Sequence, residues 1–329
     1  MEYDSQPFSG IDDVLYIIGN GFDLFHGVRS SYADFKQYTK VKNPQLFQQL
    51  NVYFEGTDLW SDFENSLGYL SRKAVLYDAS IMLPDFDSDL TGLQMAEILM
   101  AGDFIAGVLN ELLTDIKKTL HQWVLSLKLS YTKIQTRLNL DYYARFINFN
   151  YTTFLESLYG IERDRINYIH GNKLHPIGSL IVGHGSTNDE AFETWYKQNR
   201  IKTRNKVVYD AYFNRKFHHP SLELVVESIE EYFENSAKAT SQIIDANRTY
   251  FSRLSGIKYI YVLGHSVSKV DVAYFHEIIR NNQNSKAIMW LMAYHRPAQR
   301  DILYKKLSGI GISPRQITMI TWDFLCQKV

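Results

Sequence analysis

Short apolar runs that end on glycine, asparagine or histidine recur along this chain, and helix-start signals follow them. No other feature limits the fold so strongly. The runs are VLYIIG from Val14, RFINFN from Arg145, INYIHG from Ile166, SLIVGHG from Ser179, KYIYVLGHS from Lys258 and AIMWLMAY from Ala287. A seventh, ITMITW, begins at Ile317. Most are apolar throughout instead of alternating, which suits parallel strands covered on both faces by helices. Capping-box spacing, a serine or threonine with an acid three residues on, recurs in Ser31/Asp34, Thr153/Glu156, Thr187/Glu190 and Ser268/Asp271. A fifth instance, Ser61/Glu64, falls in WSDFE. The pattern strand, small-residue loop, helix start predicts an α/β fold: a doubly wound, mostly parallel sheet of about six strands.

Two long segments interrupt the pattern, at about 40–140 and 187–256. Both read as helical, the first through GLQMAEILMAGDFIAGVLNELLTDIKKTLHQWVLSL, the second through amphipathic stretches broken at Pro220. No tandem repeat, low-complexity tract or flexible linker stands between them and the rest. The expected organisation is therefore one α/β nucleotide-binding domain over 1–329 with two helical insertions.

Composition sets outer bounds. The 35 basic residues nearly balance the 36 acidic ones, so nothing global points to a nucleic-acid partner. The single cysteine, Cys326, excludes an intramolecular disulfide and a cysteine-rich zinc site. The opening MEYDSQPFSG lacks the basic start and apolar stretch of a signal peptide. No apolar run reaches the roughly 18 residues of a membrane helix. A soluble cytoplasmic protein without a membrane partner is expected.

In open α/β sheets, ligands bind beyond the carboxyl ends of the strands, so residues there are the site candidates. They are Gly19, Asn20, Gly21, Phe22 and Asp23; Asn150; His170; Gly183 and His184; and Gly264, His265 and Ser266, with Asp271 close behind. Gly19-Asn20-Gly21 is a partial dinucleotide fingerprint whose third glycine place holds Leu24. It serves either as a close approach for phosphate or as a tight turn with positive φ. The histidines either move protons near neutral pH or satisfy loop carbonyls. Asn150 either orients a hydroxyl or water through its amide or opens a helix by an Asx-type turn. Asp271 either caps its helix or touches a ligand.

These blocks carry a resemblance. YIIGNGFDLFHGVRSSYADF, LWSDFENSLG, FNYTTFLE, YIHG, IVGHG and LGHSVSKVDVAYF are similar, in the same order, to motifs of the phage abortive-infection AbiH family. More remotely, the arrangement resembles sirtuin-like NAD-binding domains. There a Gly-Ala-Gly loop answers to Gly19-Asn20-Gly21, a strand-end asparagine to Asn150, a His-Gly pair to His170-Gly171 and a Gly-x-Ser to Gly264-His265-Ser266. That resemblance implies Asn150 and His170 as catalytic residues acting on the bond between nicotinamide and ribose. The glycine loop, Phe22, Asp23, Gly183, His184, Gly264, His265, Ser266 and Asp271 would then hold the nucleotide. The departures are Asn20, where a small apolar residue is usual, and Asp23, where a serine or small residue is usual. A carboxylate beside a pyrophosphate is unfavourable unless it binds a hydroxyl or stays remote. With one cysteine there is no four-cysteine zinc ribbon, so the protein-deacetylase branch is not expected.

The expectation is thus an antiphage abortive-infection effector that cleaves the N-glycosidic bond of NAD or a related nucleotide. It would use that nucleotide as substrate, with no separate cofactor and no metal. A phage-derived trigger and a homo-oligomer formed through the helical insertions are the expected partners beyond the nucleotide. Two alternatives stand beside it. One is a metal-dependent phosphoesterase or nuclease using Asp23, Asn150, His170, His184 and His265 as an N/O ligand set. The other is a nucleotide-sensing module that binds without cleaving.

Overall fold

All five residues of the first strand are buried, because helices cover both faces of the sheet it occupies. The computed structural model describes residues 13–54, 59–71, 74–75, 77–79, 95–129, 137–185, 220–282 and 285–326. In chain order the elements begin with β1 (Val14–Ile18), α1 (Asn20–Phe25), α2 (Tyr32–Lys42), α3 (Pro44–Tyr53), α4 (Phe63–Ser66) and α5 (Met95–Ser126). There follow β2 (Arg145–Asn148), α6 (Phe154–Tyr159), β3 (Ile166–Tyr168), α7 (Pro220–Ser236), α8 (Thr240–Ala246) and α9 (Arg248–Ser252). The chain continues through β4 (Tyr259–Leu263), α10 (Val272–Asn281), β5 (Met289–Tyr294), α11 (Pro297–Gly309), β6 (Ile317–Thr321) and α12 (Trp322–Leu325).

The six strands form one sheet in the order β3-β2-β1-β4-β5-β6, with every pairing parallel. This is the doubly wound α/β fold, in the order found in dinucleotide-binding sheets, and its direction of winding reverses between β1 and β4. Side chains alternate along β1 and feed two cores. Leu15 and Ile17 pack with Phe251, Tyr274 and Phe275 from α9 and α10. Val14, Tyr16 and Ile18 pack with Phe22, Tyr159 and Trp322 from α1, α6 and α12. Tyr16 stacks on Phe146 and Tyr261 of the neighbouring strands, each at 5.0 Å, and its hydroxyl accepts the Asp141 N–H at 3.2 Å. A tyrosine can sit fully inside because that bond satisfies its oxygen.

The structure departs from the sequence reading in two places. SLIVGHG forms no strand. Its Ile181 N–H goes to the His170 carbonyl, and the Ile181 carbonyl accepts from the Tyr151 hydroxyl. Loop partners thus satisfy its backbone, and only His184 makes an isolated bridge, to Ala237. The sixth strand is instead ITMITW, paired along β5. The capping boxes also shift. Thr153 and Ser268 hold N-cap places without a side-chain cap bond. Asp62, not Ser61, caps α4 by accepting from Asn65 N–H. Thr187 and Glu190 lie outside the described residues.

The chain divides into two compact units. The first holds the sheet and takes the described residues of Met1–Ser31, His121–Ile181 and Ala239–Val329. The second takes those of Tyr32–Leu120 and Val182–Lys238 and, among the described residues, is mostly helical. Its interior includes Phe35 edge-on to Phe63 at 5.4 Å, and Tyr232, whose hydroxyl donates to the Leu67 carbonyl. Lys238 is fully buried there and donates to Glu64 at 2.8 Å. Removing one partner of a buried pair leaves an uncompensated charge, so Glu64→Gln is expected to cost about 2 kcal/mol, less than a fully enclosed pair because Glu64 is part-exposed. Urea denaturation checks this, with the double variant Glu64→Gln/Lys238→Met, which removes both charges, expected to be better tolerated than Glu64→Gln alone. Among the described residues, no helix is long and apolar enough to cross a membrane.

Candidate functional site

Two loops leave the sheet at the reversal point, one after β1 and one after β4, and they lie backbone against backbone. The Gly19 N–H donates to the Leu263 carbonyl at 2.9 Å and the Gly21 N–H to the Gly264 carbonyl at 2.8 Å. A Cβ on Gly19 would lie 2.5 Å from the His265 Cα, and one on Gly21 2.6 Å from the Gly264 Cα. Gly264 itself has φ +71°, and its Cβ would meet the Phe22 nitrogen at 2.2 Å. These glycines are needed for the loop crossing. The Gly19 and Gly21 amides, expected to face a pyrophosphate, are engaged within the fold. Asn20 is exposed, and its side chain is tied to Ser30: Nδ2 donates to the Ser30 carbonyl at 2.8 Å, and Ser30 Oγ donates to Oδ1 at 2.5 Å. Phe22 is a core residue, its ring 4.5 Å from that of His26.

Asp23 points inward. Its Oδ2 accepts from the Thr152 hydroxyl at 2.7 Å, and Oδ1 has no hydrogen-bond partner among the described residues. Burial pushes its pKa up to about 7, against the pull of Thr152, Asn150 and Lys173. It is a sequestered carboxyl, buried away from solvent. Asn150 is also buried. Its N–H donates to Asn148 Oδ1 at 2.9 Å, an Asx-type turn, and its Nδ2 donates to the Gly19 carbonyl at 3.1 Å. Asn150 therefore joins the exit of β2 to the exit of β1.

Of the four remaining candidates of this unit, His170 and His265 meet at the carboxylate of a third, Asp271. Asp271 takes the N-cap place of α10 without making a cap bond. Instead its Oδ1 lies 3.8 Å from His170 Nε2 and its Oδ2 lies 3.4 Å from His265 Nε2. Ser268 Oγ also donates to Oδ2, at 3.0 Å. His265 Nδ1 accepts the Val267 N–H at 3.0 Å, so in the neutral ring the proton sits on Nε2 and faces Asp271. Val267 reaches this position at φ +49°, a strained conformation for a β-branched residue, and is held there by burial. Phe149 packs edge-on against both imidazoles, 5.3 Å from His170 and 4.3 Å from His265. The result is a buried His–Asp–His cluster with an apolar wall.

Gly183 and His184 belong to the second unit and serve its packing. A Cβ on Gly183 would lie 2.3 Å from the Ser236 carbonyl oxygen. The His184 N–H donates to that carbonyl, and its ring Nε2 lies 3.2 Å from the Phe233 carbonyl. The ring closes the end of α7, and burial lowers its pKa.

Beside the glycine crossing, a cleft of about 880 Å³ opens at the carboxyl ends of β1, β4, β5 and β6. Gly21, Gly264, His265 and Ser266 line one wall. Asn150 and His170 do not line it. The opposite wall includes His295, Arg296, Gln299 and Lys306, which sequence reasoning missed. The available signal was YHRPAQR: a basic pair directly after a buried strand, followed by Pro297 at a helix entry.

Among the described residues, no group of three His, Cys, Asp or Glu side chains is arranged to hold a metal ion. The metal-ligand set of the alternative reading, Asp23, Asn150, His170, His184 and His265, draws no support from these positions. No curated protein and no solved structure matches the chain. A family model described as Bacteriophage abortive infection AbiH matches residues 15–294. That span takes in the whole glycine crossing, the His–Asp–His cluster and five of the six strands, and so the chain belongs to the bacteriophage abortive infection AbiH family, which supports a role in phage abortive infection.

Proposed function

We propose that this protein aborts infection by hydrolysing the N-glycosidic bond of NAD or a related nucleotide. The observation that supports the reading is the meeting of His170 and His265 at the Asp271 carboxylate, at the carboxyl edge of a 3-2-1-4-5-6 sheet whose β1 exit is held by the Asn150 amide through the Gly19 carbonyl. In the proposed reaction, water attacks the anomeric carbon of the ribose. The bond to nicotinamide breaks, and the base leaves with the electron pair. The His170 imidazole takes the water's proton while the Asp271 carboxylate beside it stabilises the resulting imidazolium. Asn150 aligns the ribose with its amide. The reaction needs no redox partner, only water. The inward turn of Asp23 removes the objection to a carboxylate beside a pyrophosphate.

His170 is 2 % exposed and Asn150 7 %, so the surrounding loops must move before a substrate reaches them. A phage-derived trigger, a homo-oligomer through the helical segments and action in the cytoplasm belong to this reading. The same burial favours a second one, in which nucleotide is bound and sensed without cleavage.

The test is chromatography of NAD and nicotinamide, with purified protein and in phage-infected cells expressing it. His170→Ala is expected to lower turnover at least about 100-fold, the ordinary worth of a general base. Asp271→Asn is expected to lower it while shifting the pH profile. Undiminished turnover in His170→Ala and Asn150→Ala together would exclude the assigned roles. NAD binding by the wild type without any nicotinamide, even in infected cells, would select the sensing reading.

A further inference from the structure

The expected phosphate anchor of a dinucleotide sheet is the glycine loop after β1, where free amides meet a helix N-terminus. Here two of those amides already donate, one to the Leu263 carbonyl that ends β4 and one to the Gly264 carbonyl just after it, and the helix that follows is only six residues long. A phosphate-bearing ligand at this edge must find its charge partners elsewhere, and the opposite wall of the cleft supplies them. Arg296, the N-cap residue of α11, and Gln299, Leu303 and Lys306 within the helix follow one another at spacings of three, four and three residues, and all line the cleft. Arg296 and Lys306 stand about 15 Å apart along the helix axis, at 1.5 Å per residue. Leu303, with Ile302 and Ala293, offers apolar surface between them.

Lys306 reaches across to the β4 loop, its Nζ donating to the Ser266 carbonyl at 2.7 Å. An ammonium carries three donors, so this bond leaves donors for an anion beside Ser266. Gln299 Oε1 accepts the backbone N–H groups of His295 and Arg296, which fixes the turn that presents the Arg296 side chain. Asp323 is the acid among the lining residues, set against Arg296, Lys306 and the titratable His295. The volume suits a ligand of nucleotide size.

We propose that the phosphates of a nucleoside diphosphate or dinucleotide bind in this cleft through Lys306 and Arg296 of the α11 wall, with the nucleoside on Ala293, Ile302 and Leu303, and not on the amides of Gly19 and Gly21. The proposal rests on the nucleotide reading above and names the groups that recognise the ligand.

The test is calorimetric binding of ADP, and separately of inorganic pyrophosphate, to the full-length wild type and to Arg296→Glu, Lys306→Glu and the double variant. These side chains are exposed, one at the N-cap of α11 and one within it, so folding should be retained. Lys305→Glu, an exposed neighbour outside the cleft lining, controls for net charge. Each cleft variant is expected to weaken binding about tenfold or more, as for hydrogen bonds to charged groups, and the control to leave it within twofold. ADP binding that survives in the double variant overturns the proposal, as does a wild type that binds neither probe. The NAD cleavage assay is read independently. ADP binding lost in the double variant, with no NAD cleavage by the wild type, upholds this site and rejects the glycosidase. NAD cleavage undiminished in the double variant does the reverse.

Discussion

Gly264→Ala is expected to destabilise the sheet unit by about 5 kcal/mol or more, whereas Gly160→Ala, at nearly the same backbone angle, is expected to cost only about 1 kcal/mol. The two glycines have φ +71° and +69° and would bear the same left-handed strain with a side chain. They differ in what surrounds them. Nothing lies within 4 Å of a Cβ on Gly160, which ends α6 as its C-cap. A Cβ on Gly264 would sit 2.2 Å from the Phe22 nitrogen and 2.5 Å from the Gly21 carbonyl carbon. Backbone cannot swing aside as a flexible side chain can. The β1 loop would have to leave the β4 loop, breaking the Gly21-to-Gly264 hydrogen bond and disturbing Phe22 in its core. A penalty of about 5 kcal/mol or more is comparable with the whole stability of an ordinary domain. The measurement is thermal or urea denaturation of both variants beside the wild type. Gly264→Ala should give insoluble protein or a midpoint lower by roughly 10 °C or more. Equal costs at the two sites would mean that conformational strain alone sets these glycines and that the close crossing of the loops is wrong.

Asp23→Asn should become progressively more favourable, relative to the wild type, as pH rises from about 4 to about 7. The carboxyl titrates near 3.8 when unfolded, and burial raises it to about 7 in the folded protein. Between those values the unfolded chain has given up the proton and the folded one keeps it. Wild-type stability therefore falls with rising pH across that window, is intact below it and is flat above it. Three pKa steps correspond to about 4 kcal/mol at most. Asparagine does not titrate and escapes this loss. Its amide hydrogens need partners around the position now held by Oδ1, and that cost is the same at every pH. The readout is accordingly the difference between the two urea-denaturation curves measured from pH 4 to pH 8. Every other carboxylate contributes equally to both and cancels. A difference that stays constant across the range would show that Asp23 ionises normally and is not enclosed as described.

Much of this architecture was legible because it depends on short-range patterns. Strands buried on both faces have to be apolar at successive positions, and β1, β2, β4 and β5 announce themselves that way. SLIVGHG satisfies the same pattern and is not a strand, since a run of that length pairs only if a neighbouring strand offers it a ladder. Asn150 and His170 were legible as strand-end polar residues. The partners that orient them were not, because Gly19 and Asp271 lie 131 and 101 residues away along the chain. Asp271 reads locally as a helix cap. Two histidines from different loops claim its carboxylate instead.

The amino-acid sequence determined that a parallel, doubly covered sheet would form, and that something would come close to the backbone after β1, because apolar runs and missing side chains act locally. Only the tertiary structure decided what comes close: the loop after β4, which takes up amides that a phosphate would otherwise use. It also decided which ordinary helix charges matter. Arg296 and Lys306 are indistinguishable in sequence from solvated surface residues, and they become the basic wall of a cleft only where α11 lies beside the loops of β1 and β4. Side-chain periodicity is written along one segment. Convergence of several segments is a property of packing, which no single segment contains.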